Sequence, residues 1–218
     1  MKISNYLLWI FLIGSPAIEA QNEINIRIYS ETTDNGYEIY ADNDEFCPLS
    51  VKIQFDNKNL SVKKEDRNRV FVLIPQEKRQ LLTSATFIQK NVSTLLKFDT
   101  KVQIGDHNIR QYDKDHLYDL PFPKGNTYLL SQGYFGKFSH SMYNALDFTM
   151  PEGSEITAMR DGIVIRVVKK HSRGCKMANC KKYNNYLLVY HEDGTIAEYV
   201  HFRKNGTELN PGDRVEKG

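Results

Sequence analysis

The sequence predicts an all-β protein of two domains that follow a short N-terminal leader. Short runs of alternating apolar and polar residues recur between turn-forming residues, and no stretch shows a helical period of useful length. A chain of 218 residues that is 40% hydrophobic can bury the core of one large or two small domains. Its 29 basic and 27 acidic residues are well mixed, so we expect no nucleic-acid partner.

The first twenty residues are typical of a cleavable secretory signal. Lys2 supplies a positive charge, residues 6–13 form an apolar run, and small residues lead to Ala20. Because the run is too short for a finished membrane-spanning helix, we expect a signal peptide over residues 1–20 and no integral membrane domain beyond it. This predicts export to the periplasm or the cell exterior. An uncleaved N-terminal anchor is the alternative.

Export affects the interpretation of the three cysteines, because oxidising compartments favour disulfides. Cys175 and Cys180 lie close together in a short polar loop, and we predict a local disulfide between them that stabilises the fold by about 2 kcal/mol. A zinc knot that also uses His171 is the alternative. Cys47 has no partner in its own half of the chain and is predicted to be a buried thiol.

Residues 21–113 are predicted to form a β-sandwich-like accessory domain. Asn35-Gly36 between two alternating runs is a strong hairpin signal. The later runs follow at a spacing typical of small sandwiches, which favours an immunoglobulin-like fold. The predicted strands are 24–29, 37–40, 51–55, 70–74, 85–88 and 95–98. His107 lies in a turn-like segment and is interpreted as a solvated loop residue.

Residues 114–126 are predicted to be a linker, because Pro121 and Pro123 lie in a stretch that is rich in Asp and Lys and contains Gly125. His116, within this stretch, is interpreted as a solvated histidine. Residues 127–218 are predicted to form a second antiparallel β domain. Its predicted strands are 156–158, 163–168, 186–190 and 196–200, with turns at Gly162, Asn184-Asn185 and Asp193-Gly194.

The histidines of this second domain differ in their surroundings. His171 lies among basic residues and is interpreted as solvated, and His191 precedes a hairpin turn and is interpreted as structural. His140 follows a segment rich in glycine and aromatic residues, and Asp147 comes seven residues later between apolar neighbours. A carboxylate in such a strand should be largely buried, and then it must be paired or bound to metal. Residue types alone favour an Asp147 bonded to backbone amides.

The order of motifs around these residues favours a metal site instead. After His140 come DFTMPEGS at 147–154, AMRDGIV at 158–164, EYVHF at 198–202 and LNPGDRV at 209–215. This pattern closely resembles the lysostaphin and LytM-type zinc metalloendopeptidases, and the likeness extends from about residue 129 to the end of the sequence. The resemblance implies an antiparallel β-sheet peptidase domain of the LytM-like, duplicated hybrid-motif type.

The resemblance also implies roles for individual residues. His140 and Asp147 would be ligands of a zinc ion (Zn2+), and His201 would be a catalytic helper; their family acts on peptide cross-links in peptidoglycan. The spacing of seven between the two ligands is longer than the family's commonest spacing of four. The family's third ligand belongs to a histidine-x-histidine pair that the 218 residues lack after His201. We therefore expect the native chain to continue beyond Gly218 to such a pair, without which zinc binds less tightly.

The sequence thus predicts a zinc-dependent metalloendopeptidase whose substrate is a peptidoglycan peptide. One alternative is a non-catalytic module with a degenerate site that binds the cell wall or regulates a hydrolase. A purely structural β-sandwich adhesin is a third reading, which explains the N-terminal half but leaves the metal pattern unexplained. The presence of His140, Asp147 and His201 together favours the enzyme, because a module without chemistry has no physical need for all three.

Overall fold

The computed structural model describes residues 24–137, 140–142, 144–173 and 182–218. The regular secondary structure of this part of the chain is almost entirely antiparallel strand, which confirms the all-β prediction. The predicted signal peptide at residues 1–20 lies outside the described residues, as do Cys175 and Cys180, so the leader and the disulfide stay predictions. None of the described helical segments has the length and apolar character needed to cross a bilayer.

Strands occur along both halves of the chain. They are β1 (Ile26–Thr33), β2 (Gly36–Asn43), β3 (Leu49–Phe55), β4 (Leu60–Val62), β5 (Val70–Leu73), β6 (Gln80–Phe87), β7 (Phe98–Ile104), β8 (Leu129–Gln132), β9 (Asp147–Thr149), β10 (Gly162–Val168), β11 (Tyr186–Tyr190), β12 (Ile196–Val200) and β13 (Arg214–Val215); Lys64–Asp66 forms a 3-10 turn.

The strand predictions succeeded best in the second half. β11 and β12 have the predicted bounds, whereas β4 and β8 were not predicted. The strand predicted at 156–158 is wrong. That segment makes an isolated bridge from Ala158 to Lys217, and the Thr157 amide donates to the carbonyl of Pro121 rather than to a strand ladder.

The N-terminal half is a β-sandwich. Sheets ordered β1-β2-β6-β4 and β5-β3-β7 both contribute to one buried core, so they pack face to face. This core consists of Ile39, Ala41, Leu49, Val51, Ile53, Phe71, Leu73 and Leu82. The predicted hairpin forms between β1 and β2, and Gly36 is required after its turn because a Cβ there would lie 2.0 Å from the carbonyl oxygen of Ala85. The immunoglobulin-like topology stays a prediction.

The C-terminal half contains a sheet ordered β12-β11-β10-β13 and a two-stranded sheet of β8 and β9. One face of the larger sheet packs on its own half through Val164, Leu187 and Val189. The other face, with Ile165 and Tyr190, packs on Cys47 of the N-terminal half. Cys47 has no exposed surface and is a free cysteine in the part of the chain that the structure describes, which confirms the predicted buried thiol.

The two halves are joined by more than this apolar cluster. Arg166 of β10 donates to the Glu45 carboxylate at 3.0 Å, and both side chains are at least four-fifths buried. At Gly212, a Cβ would lie 2.6 Å from the ring of Phe46, so glycine permits the close approach of the two halves. The N-terminal sandwich therefore covers the second face of the C-terminal sheet.

The predicted linker is packed against the C-terminal half. Phe122 is buried with its ring edge-on to Phe148, and the Asp119 amide donates to the carbonyl of Met159. The prediction of a solvated His116 is wrong. Its side chain is only 25% exposed, and its ring lies 4.9 Å from that of Tyr118, because the segment folds back on the sheet rather than crossing open solvent.

Candidate active site

The structure brings His140 and Asp147 together. The Nε2 atom of His140 lies 3.4 Å from the Oδ2 atom of Asp147. His140 is buried, but the Asp147 side chain is 37% exposed, so the expectation of a largely buried carboxylate is wrong. The physical reason is that β9, which carries Asp147, lies in a small two-stranded sheet that leaves this edge open to solvent.

A tight loop positions His140. The Gly136 amide donates to the Gly133 carbonyl at 3.2 Å, and the His140 amide donates to the Gly136 carbonyl at 3.0 Å. The ring atom Nδ1 of His140 lies 3.3 Å from the same Gly133 oxygen. A carbonyl oxygen can only accept, so this contact is a hydrogen bond only when Nδ1 carries the hydrogen. The loop thus accommodates the Nδ1-protonated ring that a zinc ligand bound through Nε2 requires.

A β-bulge places Gln132 against the Asp147 carboxylate. The ladder between β8 and β9 pairs Leu130 with Phe148 and then Gln132 with Asp147, so Ser131 is the extra residue. The Gln132 Nε2 atom donates to Asp147 Oδ2 at 3.0 Å, and the Ser131 hydroxyl donates to the Asp147 carbonyl at 3.0 Å. Bulges re-aim side chains in this way. Sequence reasoning missed Gln132, because a local pattern does not reveal a change of register.

The glycine at 136 allows this arrangement. A Cβ atom at Gly136 would lie 2.3 Å from Cγ and 2.8 Å from Cδ of Gln132. The Gln132 side chain therefore occupies the space that any side chain at position 136 would need. At Gly133, by contrast, a Cβ would meet nothing within 4 Å.

His201 belongs to a different element. It follows β12 directly, its side chain is exposed, and its backbone has a φ of 68°, which is uncommon for a residue other than glycine. No hydrogen bond or ion pair among the described residues links it to His140 or Asp147. The structure thus joins the two predicted ligands and places the predicted helper at the end of the larger sheet.

The comparison with protein families gives one match. Residues 141–218 match the family described as peptidase family M23. This is the family of the LytM and lysostaphin-type enzymes, so the predicted resemblance is confirmed. The matched segment includes Asp147 and His201 and begins one residue after His140. No curated protein and no solved structure matches the chain.

M23 peptidases are generally zinc-dependent, so the His140 and Asp147 pair can be tested against the requirements of zinc. Two ligand atoms on tetrahedral zinc, each at about 2.0–2.1 Å from the metal, lie about 3.3–3.4 Å apart. The observed separation of 3.4 Å meets that requirement. Within the described ranges, no group of three or more His, Cys, Asp or Glu side chains is arranged to hold a metal. The pair therefore fits two positions of a zinc site.

His191 has the structural role that the sequence predicted. It is 1% exposed, and its Nδ1 atom lies 2.7 Å from the carbonyl oxygen of Asp161. Burial lowers the pKa of His191 below its ordinary value, which keeps the ring neutral. Nearby, Arg160 donates to Asp193 at 2.8 Å. These contacts tie the turn after β11 to the start of β10.

Proposed function

We propose that this protein is an exported zinc-dependent metalloendopeptidase that hydrolyses peptide bonds in peptidoglycan cross-links. The M23 match supports peptide hydrolysis. The observation that carries the zinc assignment is the 3.4 Å separation between His140 Nε2 and Asp147 Oδ2. Peptidoglycan as the substrate and export as the route rest on the family resemblance and on the signal-like residues 1–20.

His140 and Asp147 would hold the zinc ion, which when bound acidifies a water molecule and polarises a peptide carbonyl. Two neighbouring groups prepare these ligands. The Gly133 carbonyl would accept from Nδ1 of His140 and so leave Nε2 to the metal, and the Gln132 amide restrains the Asp147 carboxylate. Such partners of metal ligands fix ring orientation and raise metal affinity.

His201 is suited to a role off the metal. Its imidazole is exposed, so it is accessible to an incoming peptide. A neutral or charged imidazole can donate a hydrogen bond to the oxyanion that develops during attack on the carbonyl. One such donor can lower the barrier by about 3 kcal/mol. We assign His201 this stabilising role.

Exposed apolar side chains flank the two ligands along the chain. Tyr134 is 59% exposed, Phe135 is 62% exposed and Met142 is 80% exposed. Apolar surface around a few convergent polar groups is typical of a site that binds an organic ligand. These side chains would contact the substrate peptide.

The experiment compares zinc content and the release of new amino groups from purified peptidoglycan for the full-length protein and its variants. His140→Ala and Asp147→Asn should lose zinc and hydrolysis together. His201→Ala should keep zinc and hydrolyse about 10²–10³ times more slowly. His107→Ala is the matched control, because His107 is an exposed loop histidine of the N-terminal half, and it should behave as wild type.

Two results would contradict the proposal. Undiminished zinc in both ligand variants would remove the metal assignment. Tight binding of the wild-type protein to peptidoglycan without any release of amino groups would instead favour the non-catalytic module.

A further inference from the structure

Asn185 is a buried amide at the start of β11 whose side chain is fully occupied. Only 4% of its surface is exposed. Its Oδ1 atom accepts from the His171 amide at 2.9 Å, and its Nδ2 group donates to the carbonyls of His171 at 2.8 Å and Phe202 at 3.0 Å. One side chain therefore ties three segments of the C-terminal half together.

The segment after β12 departs from the regular ladder at this amide. Tyr186 pairs with Val200, so a continued ladder would place Asn185 opposite His201. Instead, the Phe202 amide donates to the Asn185 backbone carbonyl at 3.3 Å. Asn185 thus faces both His201 and Phe202, which is the arrangement of a β-bulge. His201 is the residue that the bulge turns outward.

This arrangement explains the backbone of His201. A φ of 68° is unfavourable for a residue with a Cβ, and it persists only when the flanking residues are fixed. On one side, Val200 is held by its pairing in β12. On the other side, both polar backbone groups of Phe202 bond to Asn185, and the Phe202 ring packs against the core of the sheet.

We propose that Asn185 is a positioning residue that clamps Phe202 and thereby holds His201 outward in its left-handed conformation. The inference rests on the proposed function for the role of His201, but the clamp itself does not depend on it. The Asn185 side chain acts through its Nδ2 group, which donates to the carbonyl oxygens of His171 and Phe202. An aspartate of the same size has no such donor, because a carboxylate can only accept a hydrogen bond.

The test uses the full-length protein with Asn185→Ala and Asn185→Asp, and it uses Asn184→Ala and Asn184→Asp as matched controls at the neighbouring amide. NMR of the His201 imidazole and of the Phe202 backbone is the first readout. Both sets of resonances should shift in the Asn185 variants, while the His107 resonances of those variants stay unchanged. In the Asn184 control variants, the His201 and Phe202 resonances should stay at their wild-type positions. In the hydrolysis assay, kcat should fall about 10- to 100-fold with little change in KM or zinc content.

The two proposals can fail separately. If the wild-type protein hydrolyses nothing, the proposed function fails, and the His201 and Phe202 resonances still decide the clamp. If the His201 and Phe202 resonances are unchanged in a folded Asn185→Ala protein, the proposed clamp is overturned. If neither Asn185 variant folds, scalar couplings across the hydrogen bonds from Asn185 Nδ2 to the His171 and Phe202 carbonyl carbons are measured in the wild type. Their presence supports the clamp and their absence overturns it.

Discussion

Replacing Gly136 by alanine should weaken the proposed zinc site without touching either proposed ligand. The new Cβ would lie 2.3 Å from Cγ of Gln132, whereas ordinary contacts begin at about 3.4 Å. The Gln132 side chain would therefore have to move by about 1 Å. Its Nε2 atom now lies 3.0 Å from Asp147 Oδ2, so a move of this size away from the carboxylate would break the hydrogen bond.

The expected loss of zinc affinity follows from the role of the Gln132 amide as a hydrogen-bond partner of Asp147. Removing a hydrogen bond that orients a metal ligand costs about 10- to 100-fold in metal affinity or activity. Gln132→Leu, which removes the amide directly, should give a loss of the same size. Because the backbone hydrogen bonds of the loop do not involve the new methyl group, the protein should stay folded.

Zinc affinity is measured by competition with a fluorescent chelator, and hydrolysis is measured on purified peptidoglycan. Gly133→Ala is the matched control, since a Cβ at that position meets nothing within 4 Å and should leave both values unchanged. Equal zinc affinities for the folded Gly136→Ala and Gly133→Ala proteins would refute the argument, because the Gln132 amide would then contribute nothing to Asp147.

Three further predictions concern stability and reactivity. Asp193→Asn removes the charge partner of Arg160, whose side chain is only 10% exposed, and should lower the free energy of unfolding by about 3 kcal/mol in urea titrations. The control is Asp56→Asn, which alters an exposed pair with Lys97 and should lower that free energy by less than about 1 kcal/mol. Equal losses for the two variants would contradict the reasoning. Burial lowers the pKa of His191 below its ordinary value of 6.5, so the unfolded chain binds a proton at this residue more readily than the folded protein does. The stability that the neutral, buried His191 contributes is therefore complete above pH 6.5 and is lost as the pH falls below it, by up to about 1.4 kcal/mol per pH unit. The His191→Gln protein should show a flatter dependence of unfolding free energy on pH in this range, and an identical slope would show that another group titrates. Burial raises the pKa of the Cys47 thiol to about 12, so Cys47 in native protein should resist alkylation at mildly alkaline pH and react once urea unfolds the chain; rapid native labelling at Cys47 would disprove its burial.

Several features of the fold could be predicted from local sequence. β11 and β12 were predicted with their observed bounds because alternating residues and turn signals lie within the strands and beside them. His140 and Asp147 were predicted as partners from a motif order, and the structure places them in contact. The hairpin predicted at Asn35-Gly36 also formed, although its two-residue turn is Asp34-Asn35 and Gly36 already pairs with Thr33.

Other features depend on contacts that no local pattern records. Asn184-Asn185 lies between strands as predicted, but the sequence did not reveal that the Asn185 side chain bonds residues 14 and 17 positions away. His116 was interpreted as solvated, yet its segment folds onto the C-terminal sheet. The role of Asn185 and the burial of His116 escaped prediction for the same reason: the polarity of a residue indicates how often its type is exposed, but burial depends on what packs against it.

The sequence by itself determined that the chain is all-β, where most of its strands lie and which two side chains meet at the candidate site, because period-two alternation and motif order are properties of neighbouring residues. The tertiary structure alone decided how these side chains are held. Gln132 reaches Asp147 through a bulge in the β8–β9 ladder, and His201 is turned outward where Phe202 bonds to Asn185. A one-residue change of register reverses the face of a side chain, and register is fixed by pairing between distant strands.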